Sequence, residues 1–308
     1  MSVISIAAAS IFVATLAISI QQWQFPLWQA ILIATLLGYL PSYLEPSPKS
    51  PHGRYWPWWV SLDWRWVSPF QKDSKLHFEV PLAQDKQYLF AVHPHGMASW
   101  HHAILLAGTS TPSFNAIIPG EKRRHLGASV VFRVPFFREW LLFCGVVDAS
   151  KHVANGVLRS GKSLVILVGG VIEQMMAMRG EHLVYVKNRK GHCKLAIQHG
   201  VPVVPAYCFG ETDMLECSTF MLPFRQWVAK KYAVALPICW GPYWWCPVYP
   251  FDVEFNHVFG NPIATTKTAE PSQEEIDRVH QAYVDELQRI FDKYKAQFGY
   301  PKAKLQVV

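Results

Sequence analysis

The stretch QYLFAVHPHGMASW, Gln87–Trp100, sets two imidazoles at the end of a short apolar run. Its first half, QYLFAV, is rich in β-forming residues and reads as a buried strand. Pro94 has no N–H to donate and Gly96 tolerates positive φ, so the strand must end there. Met97–Ala107 then has the pattern of a helix. A strand, a tight turn and a helix in succession hold polar side chains at the mouth of an α/β sheet. A turn needs only Gly, Asn or Asp, so His93 and His95 stand out as candidate functional residues.

Outward from this turn the chain alternates. Val146–Asp148, Ser163–Val168, His182–Val186 and Val203–Tyr207 read as strands, and Asn115–Ile118 as another. Phe137–Cys144, Ser150–Arg159 and Lys190–His199 read as helices. Strands alternating with helices argue for an α/β sandwich. Near the C-terminus Ser272 and Glu275 form a capping box. Ile276, Val279, Tyr283, Leu287, Ile290, Phe291, Tyr294 and Phe298 follow at helical spacing, a stripe whose expected role is structural.

Composition narrows the function. Of the 308 residues 51% are hydrophobic and 17% charged, with 13 Trp, which suits a membrane interface or an apolar substrate. The net charge of +7 suits an anionic partner, and the lack of a basic arm argues against nucleic acid. Cys144, Cys193, Cys208, Cys217, Cys239 and Cys246 show no regular spacing and read as reduced cysteines of a cytosol-facing protein. Although His101 and His102 follow His93 and His95 closely, there is no HExxH and no Cys/His pair at zinc spacing, so no metal is expected.

Residues 1–44 carry no charged side chain. Val3–Ile20 is an apolar run just long enough to span a bilayer. Leu27–Leu40 is short for a span and suits a re-entrant segment. Together they predict a membrane hairpin, residues 1–46, ahead of a body, 47–308. Lys49, Arg54 and Arg65 place that body on the cytosolic side. Two aromatic clusters, Tyr55–Trp66 and Trp240–Phe251, suit either the headgroup layer or the packing of the fold.

Two further segments carry candidate chemistry. Gly169–Gly170 follows the strand SLVILV, with Glu173 three residues on, and opens beside the histidine turn if the two strands share a sheet. KNRKG places Lys187, Asn188, Arg189 and Lys190 before a helix, where positive charge suits phosphate.

Taken together, LFAVHPHG, VPFFREWL, VVDASK, LVGGVIEQ, VKNRKGHCKLAIQHGVPVVPAYCFGETD and the terminal FGNPI and FDKYKAQFGYP resemble the type-2 acyl-CoA:diacylglycerol acyltransferases, a family that includes monoacylglycerol and wax-alcohol acyltransferases. The resemblance covers residues 50–308. It implies a glycerolipid-acyltransferase-like α/β sandwich preceded by two apolar membrane helices, with acyl-CoA as co-substrate and no bound cofactor. The implied reaction forms triacylglycerol from diacylglycerol, with monoacylglycerol, a fatty alcohol or a sterol as other acceptors. A non-catalytic lipid-binding protein is the alternative from another class. The implied place is the endoplasmic reticulum membrane, multi-pass with a cytosolic body, and lipid droplets. Membrane lipid and a second copy of the chain are further expected partners. His93 or His95 would be the general base. Pro94, Gly96, Gly169 and Gly170 would shape the turns, and backbone N–H groups at the start of the following helix would support the oxyanion. Lys187–Lys190 would hold the coenzyme A phosphates. The related H-x4-D pattern is broken here, since Ala98 and Trp100 stand where the acid would fall. The GGxxE segment makes Glu173 the candidate acidic partner.

Overall fold

The computed structural model describes residues 27–64, 74–246 and 249–308. It divides into two compact units, Met1–Pro46 and Ser47–Val308. In the first, helix α1 (Leu27–Leu44) has 18 residues and is about 27 Å long. The sequence pattern ends the apolar run at Leu40, but the helix continues through Pro41. Proline removes one donor, and here it does so only in the last four residues. Among the described residues α1 is the one helix long and apolar enough to cross a membrane. Val3–Ile20, the expected first arm of a hairpin, lies outside the described residues.

The second unit begins with α2 (Pro57–Ser61), β1 (Lys75–Phe78), β2 (Leu89–His93), α3 (Trp100–Ala107), α4 (Phe114–Ile117) and β3 (Arg123–Gly127). It continues with α5 (Phe137–Phe143), β4 (Val146–Asp148), α6 (Lys151–Arg159), β5 (Ser163–Leu167), α7 (Gly170–Gln174) and β6 (Leu183–Val184). Then come α8 (Gly191–His199), β7 (Val203–Phe209), β8 (Glu216–Cys217), α9 (Leu222–Tyr232) and β9 (Cys239–Trp240). The last elements are β10 (Asn256–Phe259), α10 (Gln273–Tyr294) and β11 (Gln306–Val307).

Seven strands form one sheet in the order β1-β10-β7-β2-β5-β3-β4. Every neighbouring pair is parallel except β10 and β7. β2 therefore lies centrally, paired with β5 on one side (Leu89 opposite Leu164) and β7 on the other (His93 opposite Tyr207). Side chains alternate along a strand. Leu89 and Ala91 pack with Val157 of α6, Ile197 of α8 and Val279 and Leu287 of α10. Phe90 and Val92 pack on the opposite face with Leu105 of α3 and Phe114 of α4. Two-residue alternation then carries His93 to the face covered by α10.

Helix α10 starts as its sequence requires, with the Ser272 hydroxyl accepting the Glu275 N–H at 3.1 Å. Its buried stripe includes Ile276, Val279, Tyr283, Leu287, Ile290 and Phe291. Each such Leu, Ile or Phe contributes about 1.5–3 kcal/mol by leaving water. This burial holds α10 against the sheet.

Three local expectations are corrected. Phe114–Ile117 is a helical turn, not a strand, because Ser113 caps it by accepting the Asn115 N–H at 3.3 Å. The helix after the histidine turn starts at Trp100 and not Met97, since Ser99 has a left-handed backbone with φ 55°. The strand expected at His182–Val186 is reduced to Leu183–Val184, which pairs with Gln306–Val307 outside the main sheet. All six cysteines are free.

Candidate active site

His93 ends β2, and its side chain is fully buried. β5 lies beside it in parallel and leads through Val168 and Gly169 into α7, whose first turn carries Glu173. The shared carboxyl edge of the two strands brings these residues together from 80 positions apart. The imidazole Nδ1 lies 3.2 Å from both carboxylate oxygens. Glu173 also accepts the His95 N–H at 2.5 Å and the Tyr185 N–H at 2.6 Å. Burial alone would raise the Glu173 carboxyl, but His93 and these donors outweigh it and hold it below the ordinary value. An ionised carboxylate only accepts, so His93 Nδ1 donates to it.

On the other side of the ring Nε2 faces the hydroxyl of Tyr283 at 2.5 Å. Tyr283 is fully buried on α10, and burial, with Cys193 and Glu173 adding, holds its phenol well above the ordinary range. It therefore stays a hydroxyl, able to donate to Nε2 of a neutral His93. By helical spacing alone Tyr283 is one more core residue of the α10 stripe, and its contact with His93 does not show. The available signal is its hydroxyl: a buried tyrosine in an apolar stripe needs a polar partner.

His95 differs from His93 in being half-buried. Its Nδ1 lies 3.0 Å from both the Gly96 carbonyl and the Ser99 hydroxyl. The Ser99 hydroxyl itself donates to the His95 carbonyl at 2.9 Å. Nδ1 thus holds the proton, leaving Nε2 as the basic atom. Burial, against the Gly96 carbonyl and Glu173, lowers its affinity for a second proton.

Pro94 follows His93 through a cis peptide bond. Gly96 has φ 64°, and a Cβ there would strike the Glu211 carboxylate, so two constraints require glycine. Gly169 has an ordinary backbone, but a Cβ would collide with the Glu173 carboxylate. Its role is to make room for the acid. Gly170 begins α7.

The oxyanion expectation needs correction at the start of α3. The N–H groups of Trp100 and His101 donate to Glu211 at 3.2 and 2.8 Å and are therefore already used. Burial pushes the Glu211 carboxyl up to about 8 despite these donors. Glu211 belongs to the quoted FGETD segment, but its tie to the histidine turn was not legible there.

The basic segment lies just beyond Tyr185. Lys187 and Asn188 are exposed, and the Arg189 guanidinium stands over the Tyr185 ring at 5.3 Å. Lys190 is ion-paired with Asp277 at 2.7 Å. Lys187 and Arg189 have no such carboxylate partner among the described residues.

The sequence matches the family model described as diacylglycerol acyltransferase over residues 26–308. The chain belongs to the diacylglycerol acyltransferase family. It is 30% identical to human diacylglycerol O-acyltransferase 2, with 73% of this chain and 61% of that protein covered. It is 27% identical to human acyl-CoA wax alcohol acyltransferase 2, covering 90% of this chain and 91% of that one. Among solved structures, the Thermotoga maritima 1-acyl-sn-glycerophosphate acyltransferase PlsC matches with a TM-score of 0.42 at 13% identity, over 70% of this chain and 72% of that one.

Proposed function

We propose that this family member moves a fatty acyl group from acyl-CoA to the free hydroxyl of diacylglycerol, making triacylglycerol. The observation that carries the chemistry is the buried carboxylate–imidazole pair at the carboxyl end of β2 and β5. An alcohol is a weak nucleophile until a base takes its proton. His93 is that base, and Glu173 orients the ring and stabilises the imidazolium. Tyr283 Oη marks the place that the acceptor oxygen must take. As the acceptor enters and displaces it, its proton moves to Nε2 and its oxygen attacks the thioester carbonyl. The carbon–sulfur bond breaks, and the coenzyme A thiolate recovers the proton from the imidazolium. No acyl-enzyme is needed, because the donor is already activated.

Lys187, Asn188, Arg189 and Lys190 bind the coenzyme A phosphates, with Lys187 and Arg189 as the principal cations. The Tyr185 N–H on Glu173 ties this segment to the base. The first unit anchors the chain in the endoplasmic reticulum membrane as a hairpin, with the second unit cytosolic. The exposed apolar side chains of α1, among them Leu27, Ile31 and Leu36, support insertion. Trp244 and Trp245, 92% and 66% exposed, support a headgroup contact by the body. Carbonate extraction that released the chain would refute the anchor, and protease protection of the C-terminus in sealed microsomes would refute the orientation.

A fatty alcohol as acceptor is a second reading, favoured by the match to wax alcohol acyltransferase 2 over 90% of this chain. Membranes containing the protein, given labelled oleoyl-CoA and a panel of acceptors, decide between the two. Labelled triacylglycerol as the main product supports diacylglycerol; labelled wax ester transfers the assignment.

A further inference from the structure

β7 and β10 are antiparallel neighbours, with Cys208 directly opposite His257. Residues opposite one another in such a pair present their side chains on the same face. Helix α3 covers that face and brings His101 to the same point, its ring centroid 5.4 Å from that of His257. All three side chains are buried, both histidines fully. The donor atoms of His101, Cys208 and His257 all lie within 4.8 Å of one another.

Their ordinary hydrogen-bonding needs are not met. Among the described residues neither ring nitrogen of His101 makes a well-formed hydrogen bond, although the Pro94 backbone lies close to the ring, and Nδ1 of His257 has no partner. His257 Nε2 reaches only the His101 carbonyl at 3.2 Å. The Cys208 thiol donates weakly to the Phe209 carbonyl at 3.5 Å, and its sulfur accepts from the Glu211 backbone N–H. Around them stand Met97, Ile104, Met214 and Phe255, which offer no strong partner, and the Glu211 carboxylate, which is taken up by the Trp100 and His101 N–H groups. Buried polar atoms are normally satisfied, so two imidazoles with unsatisfied nitrogens, each offering one donor atom beside one thiol, point to a missing central ligand.

We infer that His101, Cys208 and His257 form a binding site for a divalent borderline metal, zinc in the first place. Two imidazoles and a thiolate are a zinc donor set, whereas calcium and magnesium require oxygen ligands. Tetrahedral bonds of about 2.0–2.3 Å put donor atoms about 3.3–3.8 Å apart, so a small closure of the cluster sets three donors in place and leaves the fourth position to a water. Binding forms the metal–sulfur bond as Cys208 releases its proton to solvent. The metal ties α3, the helix that follows the histidine turn, to β7 and β10. It thereby supports the turn without touching substrate. Local spacing gives no sign of the site, because its ligands come from three separate elements joined only by the fold.

The test uses the full chain in nonionic detergent, purified with a tag that contains no histidine. Metal analysis is expected to find stoichiometric zinc. After chelation, titration with cobalt(II) is expected to give a thiolate-to-cobalt charge-transfer band. Cys208→Ser should abolish that band, and His257→Gln should weaken zinc binding by about 100-fold or more. Cys144→Ser and Cys193→Ser should leave both unchanged. Wild-type protein that contains no stoichiometric zinc and shows no cobalt band overturns the site. A band that persists in Cys208→Ser does so as well. Should that variant fail to fold, zinc affinity in His101→Gln and His257→Gln decides, and unchanged affinity in both overturns the site.

Discussion

Glu173→Gln isolates the charge at the centre of the proposed base. The substitution keeps the volume of the side chain and one carbonyl oxygen. In the native site one carboxylate oxygen accepts the His95 N–H, the other accepts the Tyr185 N–H, and both face His93 Nδ1. A glutamine must aim its NH2 at one of the two backbone donors, whichever way the amide turns. One buried N–H then loses its acceptor, which costs about 1–3 kcal/mol. The charge-assisted bond to His93 also becomes a neutral one, a further loss of about 1 kcal/mol. For a unit of this size the sum lowers the melting temperature by roughly 5–15 °C. The rate falls more sharply, by about 10²–10⁴-fold, because the neutral amide no longer stabilises the imidazolium. The assay is the initial rate with labelled oleoyl-CoA and diacylglycerol, with melting measured on the same preparation. The loss belongs in kcat, with the KM for acyl-CoA little changed. Residues that act as a unit are not additive, so Glu173→Gln combined with His93→Ala should be no slower than His93→Ala alone. A folded Glu173→Gln protein that works close to the wild-type rate, or a double variant whose losses multiply, refutes the pair as the base.

Four further outcomes follow from the same geometry. Tyr283→Phe removes the donor to His93 Nε2 and should lower stability by about 1–3 kcal/mol, while keeping kcat and lowering the acceptor KM; a kcat loss as large as that of His93→Ala would make the phenol a proton carrier instead. His95→Ala should lose less activity than His93→Ala, and the reverse order would give the base role to the half-buried histidine. Lys187→Gln with Arg189→Gln should raise the KM for acyl-CoA more than that for the acceptor, and Lys190→Gln, whose ammonium is shared with Asp277, should raise it by less than either of those two substitutions. Burial first, then His280 and His93, push His192 down to about 3 from its ordinary 6.5, so the unfolded chain binds the extra proton between these values and this residue's share of the stability lost as pH falls from roughly 6.5 to 5 is about 2 kcal/mol; since His101, His102, His125 and His257 are lowered in the same way, His192→Leu should make that part of the melting profile less steep by this share without flattening it.

The legible parts of this fold are those written in neighbouring residues. QYLFAV declares a strand by composition, Pro94 and Gly96 declare its end, and Ser272 with Glu275 declares the start of α10. A four-residue turn such as Phe114–Ile117 has too few residues to show a period, and a single cap at Ser113 settles it. Glu173 stood out because a Gly-Gly turn ends a strand just before it, and parallel pairing of β5 with β2 then puts that turn beside His93.

Tyr283 is different in kind. The strand alternates every two residues and helix α10 repeats about every 3.6. Each period correctly assigns its own residue to an inner face, His93 to one side of β2 and Tyr283 to the stripe of α10. Neither period says where the two faces cross. The crossing depends on β7 lying next to β2, on α10 packing over both, and on the helix stopping at a particular depth. Those are properties of the whole second unit, and they bring together residues 190 positions apart. The same reasoning applies to His101, Cys208 and His257, whose meeting point is set by the register of β7 against β10 and by the position of α3. Chemistry written in one turn can be read from that turn. A site made where separate elements cross can be read only after the crossing is known, and a polar atom left in an apolar stripe is the one trace of it in the sequence.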